Sequence, residues 1–474
     1  MANRSTVSNS KVGSMQRHVY FVGSNSEVAH HAAPLMKEDS FVTKIIAAED
    51  VVSTAVQGDV AVFFSEHFDR FRQAVVELKA KRVATIYLVD GILEWRNAWE
   101  NGPEEPACPF TMRPVLADKV AVIGASQARL LSSWGNGGKI EVVGIPRLDQ
   151  WTEIWRSTTP PSLREGQAVM PKGQHPTGEG SASSKETAPF RVLVATAKTP
   201  GFTTQQIETT VRSLSNLKSW FDATDEVAGR PLEVTWRLTA GLENKIEVEN
   251  NLSDLSGEEL QQAIANCDAF ITTPSTSMLE AMLQHKPTAL LNYHLCPTYV
   301  PAAWNIHSAD SIETVMQQLA DSCQARLHFQ QAIVADALQI AEPATDRLIQ
   351  LIHSMIASCQ QQVNGNDPLK FEANLLPNPV FAPPLEDHIS KLGHAAVFEN
   401  FNEFVVDTDS AAMKAQLAHA RREIEHRQRI EDGLKAELAE AHSIFEQINQ
   451  HPIAGPIVRI RERFIKFMNN KKDS

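Results

Sequence analysis

Nowhere does the chain carry about 18 consecutive apolar residues, so no membrane-spanning helix is expected. Its first seventeen residues are polar and rich in Ser and Asn, without the apolar core of a signal peptide. Cysteine is sparse: Cys108, Cys267, Cys296, Cys323 and Cys359 are odd in number, far apart and never in CxxC spacing. That excludes a disulfide framework and a cysteine zinc site, and fits a reducing cytoplasm. There is no P-loop, no HExxH and no GxSxG, so the commonest ATPase, zinc-protease and serine-hydrolase chemistries lack their parts. The turn FVGSNS has one Gly where a dinucleotide fingerprint needs three. Positive charge is also short. A formal net charge of −13 repels a polyphosphate backbone, so nucleic acid is not an expected partner. Adjacent His30 and His31, near a predicted helix, point to different faces and make a poor metal pair; both read as surface residues, and no metal site is expected.

What the chain does have is length for two cores. At 474 residues, with 43% apolar and 21% charged side chains, it is a globular chain too long for one ordinary domain. From Val19 come VYFVG, FVTKIIA, VAVFFS, ATIYLVDG, KVAVIG and EVVG, separated by stretches such as Phe68 to Lys81 with helical spacing. Continuously apolar runs are what a strand covered by helices on both faces requires, so these predict a doubly wound parallel sheet. After a tail over 1–17, this first Rossmann-like domain is expected over 18–156. Residues 157–189, rich in Pro, Gly, Ser and Thr, read as a flexible linker. A second βα series follows over 190–362: RVLVATA, a helix from Gln205 to Phe221, EVTWRLT, IEVEN, a helix with a capping box at Ser256 and Glu259, AFITTP, a helix from Ser275, and PTALLNY.

Residues 363–408 are proline-rich and predict a segment running over the surface. Over 409–450 the apolar positions Met413, Leu417, Ala420 and Ile424, then Ile430, Leu434, Leu438, Ala441, Phe445 and Ile448, follow three-and-four spacing. Gly433 and a register break after Ile424 leave two readings open: a coiled coil joining copies of the chain, or a long helix packed on its own protein. Within 456–474, Ile457, Ile460, Phe464, Phe467 and Met468 oppose Arg459, Arg461, Arg463 and Lys466. Such a basic amphipathic helix suits an anionic membrane surface, a protein partner or plain solvation.

Open α/β sheets bind ligands beyond the carboxyl ends of their strands, so chemistry is expected just after them. In the second domain Ser275, Thr276 and Ser277 open a helix bearing Glu280. Unpaired amides and hydroxyls there suit phosphate oxygens, and a carboxylate one turn on suits a ribose diol. The competing reading is an ordinary N-cap and a solvated Glu280. Lys198 and Arg237, each at the end of a strand, are candidate phosphate contacts or surface cations. In the first domain Asp90 is the first candidate for a general base and Glu94 the second, with Arg96 and Asn97 as acceptor contacts. The same residues also suit a turn and a surface charge cluster. Gly144, Pro146, Arg147 and Asp149 read as a shaped turn with a local Arg147 to Asp149 pair.

The Ser-rich segment, with His285, Lys286 and Pro287 in the turn before the next strand, resembles the nucleotide-sugar half-site of GT-B glycosyltransferases. With VDGILEWRN (Val89 to Asn97) and VVGIPRLDQW (Val142 to Trp151), the chain resembles over roughly residues 19 to 360 a bacterial capsule and surface-polysaccharide group related to teichoic-acid glycerophosphotransferases. Where those relatives carry Arg-Pro-His-Pro, this chain has Trp236, Arg237, Leu238 and Thr239, which favours sugar transfer over glycerophosphate transfer. The resemblance implies the GT-B architecture with a C-terminal helical extension. It implies transfer from a nucleotide-diphosphate sugar, as co-substrate and without an obligatory cofactor, to a carbohydrate or lipid-linked acceptor. The place would be the cytoplasm, in peripheral contact with the inner membrane face if the terminal helix binds there. A nucleotide-sugar 2-epimerase is an alternative, although that family's acidic and His-containing runs are not evident; so is an inactive scaffold recruiting partners through its C-terminal helices.

Overall fold

A computed structural model of the chain describes residues 16–93, 112, 114–159, 188–201, 203–239, 241–248, 251–252, 257–294, 298–362, 365, 367–377 and 435. Glu94, Arg96, Asn97, the Ser256 end of the expected capping box and both expected C-terminal helices apart from Lys435 lie outside these residues.

All six expected apolar runs of the first domain are strands: β1 (His18–Val22), β2 (Val42–Ile46), β3 (Val60–Phe63), β4 (Ala84–Leu88), β5 (Lys119–Val122) and β6 (Ile140–Val142). They form one parallel sheet in the order β2-β1-β3-β4-β5-β6. The strands β3, β4 and β5 are buried along their whole length, the condition their unbroken hydrophobicity anticipates. Between them run α1 (Asn25–Ala32), α2 (Ala48–Thr54), α3 (Asp69–Ala80) and α4 (Ala125–Leu131), and α5 (Asp149–Thr158) follows β6.

The second sheet holds β7 (Phe190–Ala195), β8 (Glu226–Val227), β9 (Arg230–Arg237), β10 (Ala269–Thr272), β11 (Thr288–Leu291) and β12 (Trp304–Ile306) in the order β12-β11-β10-β7-β9-β8, with only β8 antiparallel. Its helices are α6 (Thr204–Asp222), α7 (Gly257–Asn266), α8 (Ser277–Leu283), α9 (Ile312–Ala320) and α10 (Gln324–Ala337). Of the strand expected at IEVEN, the described residues Ile246, Glu247 and Val248 are not in a strand, and Asn251 just beyond makes an isolated bridge to Trp236. The short β8 pairs only with Arg230 and Pro231, at the start of β9. In both sheets the chain reverses direction beside its first strand, at β1/β3 and at β7/β10, and such switch points open a crevice at the carboxyl ends.

The boundary expected at 362 is corrected by α11 (Ala344–Gln361), which lies on the first sheet rather than the second. Its Leu348, Leu351, Ile352 and Met355 join Val19, Phe21, Val62 and Ile86 in one buried cluster. Asp149 receives its first turn, accepting from the Ala344 and Thr345 amides at 2.6 and 2.9 Å. The helical period predicts one apolar stripe but cannot say which of two apolar sheets will cover it. The start of the supposed surface segment is likewise docked: Leu376 is buried, and Leu369, Phe371 and Leu375 pack on the same cluster.

The domains meet closely at two glycines. A Cβ on Gly91 would stand 2.0 Å from Thr276 Oγ1, and one on Gly124 would stand 2.3 Å from the Ala337 carbonyl oxygen at the end of α10. The first obstacle is a side chain; the second is backbone, already tied to the first domain by the Gln339 amide donating to Ile123 O at 2.7 Å. Gly124→Ala is therefore expected to destabilise the chain by about 1–3 kcal/mol through overpacking. Urea unfolding measures it, and a loss of under about 0.5 kcal/mol would mean that α10 gives way freely.

Candidate functional site

In the first domain the backbone leaves β1 through Gly23 and enters α1 by a capping box, in which Glu27 Oε2 accepts from the Ser24 amide at 2.9 Å. This sets the register of α1, whose last turn carries His30 and His31. The surface reading of His31 is corrected: it is 3% exposed, its ring lies 4.5 Å from that of Phe64, and its Nε2 stands 3.3 Å from Asp90 Oδ2. A helix face turned toward a sheet buries whatever it carries, and a buried imidazole needs a partner. Asp90 supplies it from just beyond β4. The loop it begins is pinned from both domains, with the Ile92 amide donating to Thr276 Oγ1 at 3.0 Å and the Leu93 amide to Tyr299 Oη at 2.6 Å. Gln127 adds a bond to Gly91 O at 3.0 Å.

Exposure orders this pair. The Asp90 side chain is 54% exposed and the His31 side chain 4%, so the carboxylate faces the cleft with the imidazole behind it. Desolvation pushes the Asp90 carboxyl up, but the His31 hydrogen bond, the His31 charge and Arg147 outweigh it and hold it below the usual carboxylate range. His30, exposed at its edge with its ring 3.7 Å from that of His31, is pushed down to about 4 by desolvation first and then by the neighbouring His31, Arg147 and Lys198 charges.

In the second domain three threonines knit the ends of neighbouring strands. The Ala197 amide donates to Thr273 Oγ1 at 2.7 Å, the Thr239 amide to Thr196 Oγ1 at 3.1 Å, and Thr239 Oγ1 to Ala197 O at 2.7 Å. Lys198 follows this knot, exposed, with its charge reaching Glu27 and His30 across the cleft. Arg237, the last residue of β9, is half-buried within the field of Glu280.

The Ser-rich turn is less open than its sequence suggests. Thr276 is the N-cap and accepts from the first domain, while Ser275 and Ser277 bond to each other at 2.5 Å. Glu280 is not a solvated helix residue: it is 5% exposed, on a helix buried from end to end. Its Oε1 accepts from Arg147 Nη1 at 2.6 Å and its Oε2 from Gln261 Nε2 at 2.5 Å, with Gln284 bracing Gln261 at 2.6 Å. The expected local pair of Arg147 with Asp149 is thus corrected, since Arg147 reaches across the domains and Asp149 caps α11.

Asp90, Lys198 and Glu280, with His30, His31 and Arg147 among them, therefore share one region at the carboxyl ends of both sheets; Arg237 approaches it through Glu280. Sequence reasoning missed His31, Arg147 and Gln261. His31 had one available signal, its place on the helix directly after β1; the other two had none, because their partners are more than a hundred residues away or on another helix. Among the described residues no three His, Cys, Asp or Glu side chains are grouped to hold a metal ion. No helix among them is long and apolar enough to cross a membrane.

The sequence matches no protein-family model and no curated protein. Among solved structures the chain is similar to a putative UDP-N-acetylglucosamine 2-epimerase from Listeria monocytogenes, at 13% identity over 75% of this chain and 100% of that one, with a TM-score of 0.47. It is similar to the UDP-GlcNAc 2-epimerase of Methanocaldococcus jannaschii at 10% identity, over 71% and 99% of the chains, with a TM-score of 0.45. It is also similar to the wall teichoic acid polymerase TagF at 13% identity, over 74% and 90%, with a TM-score of 0.45. Likenesses of this degree say nothing about what this chain binds.

Proposed function

We propose that this chain transfers a sugar from a nucleotide-diphosphate donor to a carbohydrate or lipid-linked acceptor. The observation that carries the reading is the meeting, at the carboxyl ends of both sheets, of an exposed carboxylate backed by a buried histidine with cations from both domains. An acceptor hydroxyl attacks the anomeric carbon, its oxygen bonding there as the bond to the diphosphate oxygen breaks. Asp90 takes the hydroxyl proton. The diphosphate leaves with the bonding electron pair, its growing charge met by Lys198 and Arg237. Arg237 and Lys198 stand at the ends of β9 and β7, beside the second switch point, where a nucleotide is expected to lie.

Calorimetric titration with uridine, guanosine and cytidine diphosphates tests the donor half. One of them is expected to bind saturably, and Lys198→Ala to weaken it about tenfold, roughly 1.4 kcal/mol. The reading fails if none of the three gives heat. Product analysis tests the transfer half: free nucleotide should accumulate with acceptor, whereas an altered nucleotide sugar without release would mean epimerisation.

A further inference from the structure

Arg147 occupies a single turn, Pro146–Leu148, whose flanking Pro146 and Leu148 are buried, so the turn is fixed and the arginine is the side chain it presents to the seam. Just before it, Gly144 has φ +102°, and a Cβ there would stand 2.7 Å from Ala344 Cβ; the approach to the turn is shaped by contact with α11. Only Nη1 of Arg147 is engaged with another described residue, at Glu280 Oε1; Nε and Nη2 make no hydrogen bond among the described residues. The side chain keeps 27% of its surface, and its charge reaches both Asp90 and His30. Glu280 behind it is held in turn by Gln261 and Gln284. A guanidinium tethered at one nitrogen by a braced, buried carboxylate keeps its orientation while its other donors face the cleft. That is a preorganised half of a bidentate contact to an anionic oxygen pair.

We infer that Arg147 binds phosphate oxygens from the first-domain side of the cleft, with Glu280 as the residue that positions it rather than a ligand of the ribose. The inference rests on the nucleotide reading above. The occupant is a phosphate or diphosphate group, brought by the nucleotide itself or by a separate phosphorylated molecule. Arg147 then gives the first domain a direct grip on a ligand otherwise held by the second, and couples the two domains when that ligand arrives.

The test is calorimetry on the full chain with three probes: the nucleoside diphosphate that binds, its unphosphorylated nucleoside, and inorganic pyrophosphate. Arg147→Met is expected to weaken the nucleoside diphosphate at least tenfold and to leave the nucleoside within twofold. Pyrophosphate binding that also disappears marks the anion alone as the ligand; pyrophosphate that never binds marks the phosphate as one delivered by the nucleotide. Glu280→Gln should show the same phosphate-selective loss at smaller size, because Arg147 loses its charged anchor. If Arg147→Met does not fold, Arg147→Lys keeps the charge without the planar fork and is expected to lose about threefold or more in diphosphate affinity. Wild-type chain that binds the diphosphate, with a variant that binds it equally well or loses nucleoside to the same extent, overturns the role of Arg147 and leaves the nucleotide reading standing. Wild-type chain that binds no nucleoside diphosphate overturns the nucleotide reading instead.

Discussion

Glu141→Ala is expected to cost about 3–5 kcal/mol of folding stability, the usual penalty for breaking a fully buried ion pair. Lys119 is 0% and Glu141 3% exposed, with 2.7 Å between Nζ and Oε1, on the adjacent strands β5 and β6. Neither charge could remain there with the other alone. Lys119 also donates to the Ala373 carbonyl at 3.1 Å, and Glu141 accepts from the Leu375 and Leu376 amides at 2.8 and 3.1 Å. The pair thus fastens the segment after α11 to the first sheet, and Arg347 Nη2 adds a bond to Pro377 O at 3.1 Å. Alanine at 141 leaves a buried ammonium facing carbonyl oxygens alone and two amides unsatisfied. Replacing both partners, as Lys119→Met with Glu141→Leu, removes the lone buried charge but still leaves the Leu375 and Leu376 amides without their acceptor, so it should recover only part of the loss. Urea unfolding of the two single variants and the double variant gives the coupling directly. Independent effects that simply add, or a single-variant loss below about 1 kcal/mol, would show that the pair does not hold this segment.

Asp90→Asn is expected to lower turnover by about 10²–10⁴-fold, the range for removing a general base, while donor affinity changes less than twofold. The amide keeps the shape and a bond to His31 but cannot take a proton. His31→Asn makes a second, separable prediction. His31 acts to lower the Asp90 carboxyl, against the desolvation that raises it. Without it the folded-state value rises, protonation begins at higher pH on acidification, and the acid limb of the pH–rate profile moves upward. The same sign governs stability: a carboxyl held low contributes above its unfolded value and loses that contribution as the pH falls through its folded value. An acid limb unmoved in His31→Asn would separate the histidine from the carboxylate, and full turnover in Asp90→Asn would remove the base.

The strands were legible because a strand covered on both faces must be apolar along its length, and β3, β4 and β5 are. The placing of Asp90 and Lys198 just beyond strand ends was legible too, and both face the cleft. Glu280 stands where the helix pattern puts it, but only packing reveals that its oxygens accept from Arg147 and Gln261.

From its sequence alone this protein is a pair of parallel α/β domains, because the hydrophobic period of each strand and helix is a local property that neighbouring residues express together. The tertiary structure alone decided that α11 returns to the first sheet, that His31 is buried behind Asp90, and that Arg147 belongs to Glu280 rather than Asp149. Each of these turns on which of several chemically equivalent partners a side chain meets. Residues 133 apart, as Arg147 and Glu280 are, meet only when two whole domains have packed.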